Sequence, residues 1–120
     1  MKSKIKLNFN EKELDFFFGL SFLGKFLKEE ETDLQGIFDS INSNPYSFIP
    51  NLMYKSYLHN SKRQGKKADL KPFEMSDLIE ETGHFKDGSE SAKFVEAFLQ
   101  SIIDSLPKTE GVEDDGVKKK

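Results

Sequence analysis

The chain has 120 residues, 36% hydrophobic and 32% charged, which suits one soluble globular domain. Its formal net charge of −3 supplies no global field to draw it onto nucleic acid or an anionic membrane. With no Cys it has no disulfides, thiolate catalysis or Cys-ligated zinc, and it fits a reducing cytosol.

The N-terminus M-K-S-K-I-K-L-N-F-N is basic but lacks an unbroken apolar stretch, so no signal peptide is expected. Within it, Ile5, Leu7 and Phe9 alternate with Lys4, Lys6 and Asn8, the period of a half-buried strand. Asn10, Glu11 and Lys12 read as a polar turn, after which Leu14, Phe16 and Phe18 alternate again. A β-hairpin is predicted, and it needs a cover because a lone hairpin is only marginally stable.

Gly19 breaks the second strand. Leu20, Phe22, Leu23, Phe26 and Leu27 then predict a short helix that ends in the acidic run Glu29–Glu31. T-D-L-Q places Thr32 at an N-cap and Gln35 three residues on, a capping box for a helix with the stripe Leu34, Ile37, Phe38 and Ile41. That helix should stop before Pro45, which disfavours helical geometry at Asn44.

A central helix of about three turns is predicted over 47–60, with Ser47 as N-cap and Pro50 in the first turn. Phe48, Ile49, Leu52, Met53 and Tyr57 recur at helical spacing. Tyr54 and Leu58 add apolar bulk on another side. A helix apolar nearly all round is covered by neighbours on several sides. Ser61–Lys71 holds five basic residues and a Gly in eleven positions and reads as a mobile surface loop. Ser76 is placed as the cap of a short helix through Glu81, with Gly83 at its C′ position. His84 to Gly88 form a turn, and Asp87 or Ser89 starts a last helix. Its stripe is Phe94, Val95, Phe98, Leu99, Ile102, Ile103 and Leu106, and Pro107 ends it. Residues 107–120 are charged and have almost nothing to bury, so a disordered tail is expected. The fold class is therefore mainly α (α+β): an N-terminal β-hairpin and about five helices in one domain over 1–106.

Motifs that carry chemistry are missing from this pattern. His59 and His84 lie in different elements without a second ligand at metal-binding spacing. Glu29–Glu31 and Glu80–Glu81 are adjacent carboxylates, which diverge on a helix and read as solvated faces. There is no phosphate-cradling Gly loop, G-x-S-x-G or H-E-x-x-H. The expectation is a protein that is not an enzyme, without cofactor or metal. Lys62, Arg63, Lys66, Lys67 and Lys71 form the one nucleic-acid candidate, and no aromatic lies inside that loop. The alternative function is thus a small nucleic-acid-binding or regulatory protein of a mobile element.

Three features together resemble the tail assembly chaperones of long-tailed phages of Gram-positive bacteria. The first is the hairpin running into Phe16, Phe18, Gly19, Leu20, Phe22 and Leu23. The second is the segment N-P-x-x-x-I-P-N-L-x-Y-x-x-Y-L from Asn44 to Leu58. The third is a late short acidic helix followed by an amphipathic one. The resemblance covers residues 1–106. It implies a non-enzymatic protein of the host bacterial cytoplasm that is not kept in the mature virion. It implies as partners the tape-measure protein, which such chaperones hold in solution, and the tail-tube protein that assembles around it. It supplies no catalytic positions. A lysine run such as Lys118–Lys120 can be encoded by an A-rich slippery stretch, which would suit the frameshifted longer product made in many such phages, and equally can be a solvated tail. From the helix geometry, Tyr54 and Leu58 are the partner-binding candidates, being neighbours four residues apart. Self-association is a further partner expectation, with nucleic acid and membrane not expected as partners.

Overall fold

The computed structural model describes residues 3–106; the expected tail, 107–120, lies outside them. A two-stranded antiparallel sheet of β1 (Lys4–Phe9) and β2 (Lys12–Phe17) precedes five helices. These are α1 (Leu20–Glu29), α2 (Leu34–Ser43), α3 (Pro45–Arg63), α4 (Pro72–Glu81) and α5 (Glu90–Ser105). The predicted fold class is the observed one.

The hairpin turns on Asn10 and Glu11. Asn10 takes the left-handed backbone (φ 59°) that Asn tolerates better than most residues. Lys12 belongs to β2, where it pairs with Phe9. Leu7 faces Leu14 and Ile5 faces Phe16 across the ladder, so one face is apolar. That face lies on α5: the rings of Phe16 and Phe94 meet edge-on with centroids 5.3 Å apart. Phe18 reaches both Phe94 and Phe98 in the same edge-on manner. Phe17 points the other way, under α3, where the buried Ser56 hydroxyl donates to its carbonyl at 2.8 Å. Both faces of β2 are therefore covered, and the core is a chain of phenylalanines between hairpin and helices.

Besides Lys12, read as turn and found in β2, four helix boundaries differ from the sequence reading, each for a local reason. The cap of α2 is Asp33, whose Oδ1 accepts from the Gly36 N–H at 2.8 Å. Thr32 is already used in closing α1: Glu31 turns left-handed (φ 53°), and the Thr32 N–H donates to the Leu27 carbonyl. Gln35 bonds Asp39 instead of reaching back. The central helix begins at Pro45, not after Ser47, because proline is pre-set for a first helical position. Pro50 then lies inside the helix, and the Tyr46 carbonyl four residues back lacks its donor at an exposed end.

The same helix runs to Arg63, for 19 residues in all, so the first three residues of the predicted basic loop are helical. Its stop is Gly65 (φ 67°), with the Lys66 N–H donating to the Ser61 carbonyl. The far end of that loop is anchored too, since Leu70 is buried. Finally, α4 starts at Pro72 and not at Ser76; the Lys71 N–H donates to Glu74 Oε1 at 2.7 Å. The stops at Gly83 and the Ser89 cap of α5 are as read from sequence.

Candidate functional site

Helix α3 is the spine of the surface as well as of the core. Ile49, Leu52, Met53, Ser56 and Asn60 form its buried side. Tyr54 and Leu58 are half-buried on a different side, as their spacing required. They open on two hollows and not on one. Tyr54 lines a shallow hollow between α3 and α4 of about 330 Å³, beside the exposed rings of Tyr46 and Phe73. Its hydroxyl donates to the Leu70 carbonyl at 2.9 Å, so this side chain also pins the chain that leads into α4.

Leu58 lines a groove of about 410 Å³ between α1 and α3. Phe22 and Phe26, one turn apart on α1, close its bottom and are themselves almost fully buried. Its walls carry Leu58 and the side chains of Lys25, Lys55 and Lys62, whose alkyl stems are apolar. Lys55 is held by α1: its ammonium lies 2.7 Å from Glu30 and 3.4 Å from Glu29. The hydrogen bond to Glu30 is the main reason its proton is held above the ordinary lysine range, against partial desolvation. Lys25 meets Glu29 only at 4.0 Å. Lys62 has no carboxylate within salt-bridge distance among the described residues.

His59 shares this groove, stacked on Phe17 with centroids 5.6 Å apart and with Ser21 Oγ 3.0 Å from Nε2. Desolvation first, then the charges of Lys25, Arg63 and Lys62, push its proton affinity below the usual imidazole value. Both causes favour the neutral imidazole, which forms part of the groove wall. Arg63 lies over the same Phe17 ring, its guanidinium carbon 3.9 Å from the ring centre.

The sequence reading found Leu58 but not Phe22, Phe26, Lys25, Lys62 or His59 as its neighbours. The i, i+4 pair Phe22–Phe26 was visible; that α1 would lie along this side of α3 was not. Among the described residues no group of three or more His, Asp or Glu is placed to hold a metal, and no helix is long and apolar enough to cross a membrane. No family model, curated protein or solved structure matches this chain.

Proposed function

We propose that this protein is a non-enzymatic tail assembly chaperone of a long-tailed phage. It binds the tape-measure protein, keeps it soluble and promotes tail-tube assembly. The observation that carries the reading is the open groove between α1 and α3, lined by Leu58, His59 and lysine stems over Phe22 and Phe26; Leu20, Tyr46 and Phe73 are exposed apolar side chains elsewhere on the surface. A client with an amphipathic helix needs such a groove on a soluble body, and helix-in-groove docking buries the client's stripe. The resemblance in the hairpin and in 44–58 names the client class.

The nucleic-acid alternative is less well supported. Lys12, Lys66 and Lys67 line a hollow together with Glu13, Asp15 and Asp69, so three carboxylates offset the three ammonium groups that a phosphate backbone would need.

Co-expression with the tape-measure protein tests the proposal. Leu58→Ser is the cleaner variant, since Tyr54→Ser would also release Leu70. Leu58→Ser should leave the unfolding temperature nearly unchanged, as half-exposed positions without special contacts usually do, while the client falls out of solution. A stable variant that still holds the client in solution would contradict the site.

A further inference from the structure

We propose that the α1–α3 groove selects amphipathic helices whose apolar stripe is flanked by Asp or Glu. The inference rests on the chaperone reading for the presence of a helical client and adds the client's charge pattern.

Three ammonium groups line the groove against one carboxylate, Glu29, although the whole chain carries −3. Lys55 is occupied by Glu29 and Glu30. Lys25 holds Glu29 only at the 4.0 Å limit, and Lys62 is unpaired among the described residues. Arg63 lies one residue further along α3, over Phe17. His59 lies in the same field: desolvation is the first cause of its lowered proton affinity, and Lys25, Arg63 and Lys62 all act on it next. An acidic flank would pair with these cations as the stripe settles on Leu58. A basic flank would face like charges, and complementarity of this kind sets partner choice and encounter rate more than raw affinity.

A single-stranded nucleic acid is a poorer occupant because stacking needs a whole ring face and Phe22 and Phe26 are only 2% and 1% exposed, whereas an apolar stripe can rest on Leu58 and the lysine stems. A second copy of this chain would bring a net negative charge but must present a free acidic-flanked helix, which makes it an outcome to be measured.

The test uses the full chain and two labelled peptides of roughly 20 residues, about 30 Å as helices. Both carry Leu at i, i+3, i+4 and i+7; one has Glu on the flanks and the other Lys. The acidic peptide should bind about 10-fold tighter at low salt, and the advantage should shrink toward unity near ~1 M salt. Lys25→Glu with Lys62→Glu, both at exposed positions, should reverse the preference with only a small drop in unfolding temperature, from the lost 4.0 Å Lys25–Glu29 pair. Equal binding of the two peptides overturns the inference, as does a preference that survives charge reversal. Tighter binding of a poly-dT strand, lost in the same double variant, would assign the cations to nucleic acid. Occupation of the groove by a second copy, seen as a dimer that the acidic peptide cannot dissociate, would overturn it equally. Co-expression separates this inference from the one beneath it. If the unmodified protein keeps the tape-measure protein soluble yet shows no charge preference, only the charge rule fails. If it neither binds a peptide nor holds the client, both fail.

Discussion

Phe98 shows how much a single ring carries in this core. It is fully buried, stacked parallel to Phe94 and edge-on to Phe18. Phe98→Ala should cost roughly 3–5 kcal/mol in urea unfolding, the loss expected when a buried ring leaves a cavity. A loss under about 1 kcal/mol would mean that the hairpin collapses into the space. His59 gives a second residue-scale expectation. Its folded-state proton affinity is depressed, by desolvation first and neighbouring cations second, so the unfolded chain binds the proton more tightly. Stability from the neutral imidazole is complete above the unfolded pKa of ~6.5 and is lost as pH falls through that value toward the lower folded one. His59→Gln should flatten this part of the stability–pH curve. An unchanged slope would show that the ring titrates alike in both states.

At the scale of elements, glycines separate positions with room from positions without it. A Cβ on Gly24 in α1 would meet nothing within 4 Å, so Gly24→Ala should raise stability by about 0.5–1 kcal/mol through helix propensity alone. A Cβ on Gly19 would lie 2.6 Å from the Phe17 ring, in the step between β2 and α1. Gly19→Ala should therefore lower the unfolding temperature. Tyr54→Phe removes the hydroxyl that donates to Leu70 and should cost about 1 kcal/mol, the net worth of a typical hydrogen bond. A neutral result would mean that burial of Leu70 alone holds the segment before α4.

These same elements show what was legible from sequence. The hairpin, the five helices and the stops at Asn44 and Gly83 follow from period and from Pro and Gly chemistry. Missed were places where one residue serves two neighbours. Thr32 could cap α2 by composition, but it is consumed in closing α1. Gly65 looked like loop filler among lysines, and it is the C′ residue of α3. The candidate site was half legible for a similar reason. Leu58 is given by its angular position on α3, whereas Lys25, Phe22 and Phe26 join it only through the packing of α1 along α3, which no local pattern encodes.

At the scale of the whole molecule, the account rests on a division of α3. One side is fixed in the aromatic core by Leu52 and Met53, and the other, at Leu58, borders an open groove whose Lys62 has no carboxylate partner among the described residues. Both sides belong to one continuous helix, so the proposed client would dock without the core being opened. Methyl NMR of leucine-labelled protein, titrated with the tape-measure protein or its amphipathic segments, measures this division directly. The Leu58 methyl resonances should shift or broaden on binding, and those of Leu52, buried on the same helix, should stay in place. Movement of Leu52 with an unmoved Leu58, or no change at either residue in the presence of soluble client, would contradict the account.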